Sequence, residues 1–192
     1  MYEDEMLNEL FNVDWKLWTE NKDYGIYSRM SDRGLITIKT TGTVNCSQAE
    51  IEFVLEDYHN RVKWDANFAE GGVTKVLGEN CEIHYVRTRR VAVVSPRDCY
   101  TCIRKIVRDQ SSGVVARFKR TKGKVLRSCM IACKSFELDQ YTPVQSGIVR
   151  ILVYLTGYYI EEVLTDELDE HGNKKIVCDV IFFSEVDVKI SQ

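Results

Sequence analysis

Apolar–polar alternation with a period of two, cut at short intervals by turn-forming residues, is the feature that most constrains this chain. Segments 36–40, 114–121, 128–138, 148–163 and 175–188 alternate in this way and are rich in Val, Ile, Thr and Tyr, a pattern that predicts strands with one buried face. Turn chemistry stands between them at Gly71-Gly72, at 109–113, at Thr121-Lys122-Gly123 and at 169–173, where Gly, Asn, Asp and Ser supply the conformations a tight reversal needs. Connections this short join antiparallel neighbours, because a parallel pair needs a crossover of about a dozen residues or more. No βαβ rhythm, internal repeat or linker is present. Two helices are predicted. The first covers 1–13, with Tyr2, Met6, Leu10 and Val13 on one stripe and acids opposite. The second opens at Ser47-Gln48-Ala49-Glu50, a capping box in which hydroxyl and carboxylate satisfy free backbone amides reciprocally. Its stripe of Ile51, Val54, Leu55, Tyr58 and Val62 is expected to face the core. With 192 residues, 44% of them hydrophobic, the chain can bury one sizeable core. The expectation is a single α+β domain spanning 1–192.

The formal net charge of −3 hides a segregation. Residues 1–86 hold 8 basic and 16 acidic side chains, 87–134 hold 14 and 2, and 135–192 hold 4 and 11. A basic middle third points to a polyanionic partner. Arg104, Lys105, Arg108, Arg117, Lys119, Arg120, Lys122, Lys124 and Arg127 cluster around two predicted turns. Paired strands would gather them onto one outer face, with Val114, Ala116 and Phe118 on the other. Such a face suits an anionic membrane surface, at about 1 kcal/mol per base close to the headgroups. Nucleic acid fits less well, since neither a reading motif nor paired aromatic stacking platforms accompany the charge.

No stretch predicts a membrane-spanning helix: 148–160 is too short and contains Arg150. Residues 1–10 carry four acids and no base, the reverse of a leader peptide, so a cytosolic location is expected. The seven cysteines are odd in number and scattered, which suits reduced thiols acting as small apolar residues. Cys99-x2-Cys102 followed by Cys129-x3-Cys133 has the outline of a zinc site. However, residues three apart on a strand point to opposite faces, so no metal is expected.

Catalytic motifs are absent: there is no phosphate-binding glycine loop, no HExxH and no GxSxG. Of three histidines, His171 falls in a turn and His59 near a helix end, both suited to solvent. His84, in the strand-like Ile83-His84-Tyr85-Val86, could be a satisfied structural histidine or a group facing a site. No cofactor is implied.

Arg61-Val62-Lys63-Trp64-Asp65 and Ser95-Pro96-Arg97-Asp98 resemble two signatures of the START family, the StAR-related lipid-transfer domains: an R-x-x-W-D after the middle helix and a P-R-D opening a later strand. Trp18 with Gly25-Ile26-Tyr27-Ser28-Arg29, Ser146-Gly147-Ile148-Val149-Arg150 and Thr156-Gly157-Tyr158-Tyr159-Ile160 resemble further family strands, in the same order. The resemblance implies a helix-grip fold, a curved antiparallel sheet around an apolar tunnel for one lipid. It also implies non-enzymatic binding and transfer of that lipid. In phosphatidylcholine-binding members the R-x-x-W-D arginine and aspartate contact phosphate and choline; these match Arg61 and Asp65, which at i, i+4 could equally pair with each other. Sterol carriers place an acid and an arginine in the tunnel at positions that fall on His84 and Ile103, neither of which retains the charge. This departure favours phospholipid over sterol. The resemblance thus marks Arg61, Asp65, His84, Val86, Cys99, Thr101 and Ile103 as lipid-facing, with Asp98, Tyr100, Cys102 and Arg104 facing away. Arg117, Lys119, Arg120, Lys122 and Lys124 become the membrane-facing bases. Family members continue into a C-terminal helix that closes the tunnel, whereas this sequence stops at Gln192. An open groove would also suit a protein-interaction module or a homodimer. A small-molecule enzyme of the wider helix-grip superfamily, with His84 as base, is the third reading.

Overall fold

The computed structural model describes residues 2–11, 14–90, 92, 94–109, 117–118, 120–136 and 145–189. Three helices, α1 (Tyr2–Phe11), α2 (Gln48–Glu56) and α3 (Tyr58–Arg61), accompany ten strands. The strands are β1 (Lys16–Glu20), β2 (Tyr24–Met30), β3 (Ile36–Val44), β4 (Phe68–Gly78), β5 (Cys81–Thr88), β6 (Arg97–Asp109), β7 (Lys124–Ser135), β8 (Val149–Arg150), β9 (Leu152–Leu168) and β10 (Lys174–Asp187). They form one sheet in the order β1-β2-β3-β10-β9-β7-β6-β5-β4, antiparallel throughout, with the short β8 added in parallel to β6. The long β9–β10 hairpin forms its middle, turning where the Asp169 carboxylate accepts the backbone N–H groups of His171 and Asn173. No helix follows β10 among the described residues, and none is long and apolar enough to cross a membrane.

The register decides which residues share a face. Glu82 stands opposite Ile103, Ile103 opposite Cys133, Cys133 opposite Thr156, and Thr156 opposite Ser184. Their sequence neighbours face the other way. On that other face α1 lays Met6 and Leu10 against Met130, Ala132, Leu155, Tyr159, Ile181 and Phe183, all buried. The α1 stripe is therefore as expected at Met6 and Leu10, while Val13 lies outside the described residues. Two buried carboxylates on the same face act as anchors. Glu161 accepts the backbone N–H groups of Arg117 and Phe118 and the phenol of Tyr159. Asp179 accepts the backbone N–H of Thr121 and the hydroxyls of Thr121 and Thr43. Burial raises the Glu161 carboxyl above the usual carboxylate range despite these donors.

Several local expectations are corrected. The middle helix is not continuous: Asp57 ends α2 and caps α3, its carboxylate accepting from the Asn60 backbone N–H. The capping box at Ser47 is formed as expected, but Val54 and Val62 of the expected core stripe are exposed. Gly71-Gly72 is not a turn but lies inside β4. A Cβ at Gly71 would come within 2.7 Å of the Tyr85 carbonyl oxygen, so the glycine there serves close strand approach. Of the strand expected at 114–121, residues 114–116 and 119 lie outside the described set, as does most of the turn at 109–113. Arg117, Phe118, Arg120 and Thr121 are not in strand, because Glu161 and Asp179 take the N–H groups a ladder would use. The bases are also not gathered onto one outer face. Lys105 points towards α2, where it pairs with Glu52 and Glu56, and Arg108 pairs with Glu3 of α1 on the opposite side.

A cavity walled by the middle helices

The face opposite α1 is only partly covered. Helices α2 and α3 lie over one end of it and leave a cavity of about 520 Å³ that opens to solvent. Ile103, Ile131, Tyr158, Phe182 and Val186 from four neighbouring strands supply an apolar floor, and Leu55 of α2 an apolar wall. Helix α2 is fastened over this floor by charge. Lys105, itself lining the cavity, donates to Glu52 and to Glu56, the latter at 2.8 Å. The Gln48 backbone N–H donates to the Glu162 carboxylate at 2.8 Å.

Two of the polar residues that border the apolar space, Arg61 and His84, are marked from the sequence. Arg61, at the end of α3, sits over the rings of Tyr58, Trp64 and Phe68, with its guanidinium carbon 5.0–6.0 Å from their centroids. Such an aromatic surround holds a cation without removing its charge. Its Nε and Nη2 donate to Asp65 at 3.1 and 3.0 Å, so the i, i+4 pair closes on itself and Nη1 is the donor Asp65 does not use. Asp65 also accepts the Asn67 backbone N–H and does not line the cavity. The second group is His84, buried at 5% exposure. Its Nδ1 lies 2.6 Å from the Tyr58 phenol and its Nε2 lies 2.8 Å from the Glu82 carboxylate. Burial pushes the phenol up to about 12, so Tyr58 keeps its proton. It donates to Nδ1, which assigns the N–H of the ring to Nε2 and Glu82. Both ring nitrogens are engaged, which leaves no base lone pair aimed at a substrate.

The remaining residues marked from sequence divide by depth. Ile103 lines the cavity. Val86, Cys99 and Thr101 share its face of the sheet by register, but they lie beyond the cavity. Cys99 and Thr101 are buried and Val86 half-buried, at the end where Tyr58 packs on Phe68. The opposite orientation of Asp98, Tyr100, Cys102 and Arg104 follows from the same register, with Asp98 buried against Arg150 at 2.6 Å. The suspected zinc thiols do not converge, since Cys99 and Cys102 face opposite ways. Among the described residues no group of three or more metal-ligating side chains gathers anywhere. Among the expected membrane-facing bases, Arg117, Lys122 and Lys124 are exposed. Arg120 is half-buried and donates to the Lys22 carbonyl, and Lys119 lies outside the described residues. Sequence reasoning missed Glu82, Lys105, Tyr158 and Phe182 as cavity residues. Glu82 and Lys105 lie two residues from His84 and Ile103 and follow from the strand period extended by one step, whereas Tyr158 and Phe182 join them only through the register across the sheet.

Comparison with known proteins fits this geometry. No curated protein is significantly similar in sequence. Among solved structures, human STARD10 superposes with a TM-score of 0.73 at 21% identity, covering 100% of this chain and 68% of that one. Human StAR-related lipid transfer protein 5 gives 0.65 at 18%, covering 96% and 77%. The human StarD13 (DLC2) lipid transfer and protein localization domain gives 0.64 at 16%, covering 99% and 82%. At these identities the superpositions establish the curved-sheet, helix-grip fold. The family model for the START domain matches residues 2–191, nearly the whole sequence, and the chain therefore belongs to the START domain family, whose members bind lipids or sterols.

Proposed function

We propose that the cavity holds a single lipid, a phospholipid in preference to a sterol, and that the chain carries it between membranes as a binder without chemistry of its own. The observation that carries this reading is Arg61. A guanidinium ringed by Tyr58, Trp64 and Phe68 borders an apolar floor of Ile103, Ile131, Tyr158 and Phe182. An apolar floor shields acyl chains, each methylene of which gains about 0.8 kcal/mol on leaving water. A paired guanidinium at the rim suits a phosphate diester, which Arg recognises with directional N–H donors. A sterol offers only a hydroxyl. The sites where an acid and an arginine would be sought for it are His84, already engaged by Tyr58 and Glu82, and the apolar Ile103.

The test is to incubate the purified chain with vesicles containing phosphatidylcholine and cholesterol in equal amounts, re-isolate it, and weigh it intact by native mass spectrometry. The expected result is one phospholipid per chain, lost in Ile103→Trp with the far-ultraviolet circular dichroism unchanged. Recovery of cholesterol in excess would overturn the phospholipid preference. A chain that stays empty, or an obligate empty dimer closed over the groove, would overturn lipid binding itself.

A further inference from the structure

On the reverse of the cavity floor two thiols meet. Cys81, the first residue of β5, and Cys102 of β6 place their sulfurs 3.7 Å apart. This is the one sulfur–sulfur hydrogen bond among the described residues, although the chain has seven cysteines. No other thiol is given such a partner: Cys99, Cys129 and Cys178 are buried, and Cys46 and Cys133, half-buried like Cys81 and Cys102, have no sulfur within hydrogen-bond distance. Cys81 and Cys102 are only half-buried. Cys81 adjoins the exposed two-residue turn Glu79–Asn80, which lets a reagent approach from solvent. The register puts Cys81 opposite Arg104 and Cys102 opposite Ile83, one rung to either side of Glu82 and Ile103. The two sulfurs thus straddle the rung that presents Glu82 and Ile103 to the cavity.

We propose that Cys81 and Cys102 form an oxidisable dithiol, a modification site that closes to a disulfide on exchange with a small disulfide such as oxidised glutathione. The Cys81 thiol gives its proton to solvent and its sulfur attacks one sulfur of the oxidant. The reagent's S–S bond breaks and one glutathione thiolate leaves. The Cys102 thiol, deprotonated in turn, attacks the Cys81 sulfur of the mixed disulfide and expels the second glutathione. Two protein thiols are oxidised, one disulfide is reduced to two glutathione thiols, and the two protons end on those thiols. Cys102 takes the resolving step because its thiol is pushed up to about 11 by burial and by the neighbouring sulfur, which disfavours it as the first nucleophile. Closure ties β5 to β6 beneath the residues they lend to the cavity, whatever ligand the cavity takes.

The test treats the whole purified chain with oxidised glutathione, blocks remaining thiols with iodoacetamide, and digests with trypsin. Intact mass, read after the glutathione step and before iodoacetamide is added, is expected to fall by about 2 Da, as one disulfide forms without an adduct. The digest is expected to contain peptide 76–87 linked to peptide 98–104. The link persists in Cys99→Ser, which shares the second peptide, and in Cys102→Ser it is replaced by a stable glutathione adduct on Cys81. Full alkylation of both cysteines, a lasting adduct on Cys81 in the unaltered chain, or a link that disappears in Cys99→Ser would each overturn the proposal.

Discussion

Lys39 shows how one residue carries the packing of two elements. It sits on β3, where its Nζ donates to the Leu10 carbonyl at 3.2 Å and lies 4.8 Å from the Trp15 ring and 5.2 Å from that of Tyr27. The ammonium is thereby drawn into the junction between α1 and the sheet, and burial lowers it to about 8. An unfolded lysine titrates near 10.4. Between about 8 and about 10.4 the unfolded chain therefore binds more protons than the folded one, and stability must rise with pH across that window. For a group still half in solvent the gain is about 1 kcal/mol, or about 2–4 °C in melting temperature for a chain this long. Lys39→Met, which keeps the stem and removes the charge, should flatten the rise relative to the parent. Parallel melting curves of the two proteins from pH 7.5 to 10 check this; identical slopes would show that Lys39 is neutral to folding. At this scale the sequence was partly readable. The i, i+4 spacing of Arg61 and Asp65 left their pairing open beside a ligand role, and the pair is formed; the α1 stripe gave the burial of Met6 and Leu10. Of the partners of His84, Glu82 lies two residues away on the same strand face, but Tyr58 was not readable, because it arrives from a helix 26 residues away and the two converge only once the helix has broken.

Elements were legible where the signal was local and illegible where it was tertiary. The capping box fixed the start of α2, and the turn at 169–173 fixed the central hairpin. The end of α2 was misjudged because an unbroken apolar stripe runs past Asp57, whose carboxylate prefers the free amide of Asn60 to a place in a continuous helix. The two glycine signals illustrate the same division. Gly71 has the composition of a turn but is set inside β4 by the Tyr85 backbone. Gly157 lies in the middle of β9, between Ala132 of β7 and Phe183 of β10. A Cβ there would overlap the Ile131 carbonyl oxygen, which is backbone and cannot swing away. Gly157→Ala must therefore push β7 off β9 at the floor of the cavity. The expected cost is about 3 kcal/mol, the upper part of the range for overpacking, against less than about 0.5 kcal/mol for Gly78→Ala, whose Cβ would meet nothing. Urea unfolding of both variants measures the difference; equal midpoints would mean that the strands can separate freely at Gly157.

On the scale of the whole molecule, the charge segregation has a structural form that composition alone could not supply. The basic middle third does not spread over one face. It is divided into bases that fasten helices, such as Lys105 on α2 and Arg108 on α1, and bases that lead into the start of β7. The second group is held out by acids from the third part of the chain, since Glu161 and Asp179 grip the backbone at Arg117, Phe118 and Thr121 and leave Arg117, Lys122 and Lys124 exposed. An extended strand rises about 3.4 Å per residue, so Lys124 stands roughly 24 Å along β7 from Ile131 in the cavity floor. Membrane docking and ligand enclosure, if both reside in this chain, can therefore be altered separately. Reversing Arg117, Lys122 and Lys124 together to glutamate removes three exposed bases and keeps the Glu161 and Asp179 carboxylates, their backbone donors and the Arg120–Lys22 contact. At about 1 kcal/mol per base, affinity for vesicles rich in phosphatidylserine should fall by at least about 100-fold. Raising the salt from 0.15 to 0.5 M should weaken the parent as well, by shortening the screening length. Cosedimentation reads both effects, and the lipid carried per chain, measured by native mass spectrometry, should be unchanged in the variant. Binding to neutral phosphatidylcholine vesicles as strong as to anionic ones, or a variant that binds like the parent, would place the docking surface elsewhere. The exposed Trp18 of β1 and Trp64 after α3 would then be the next surfaces to alter.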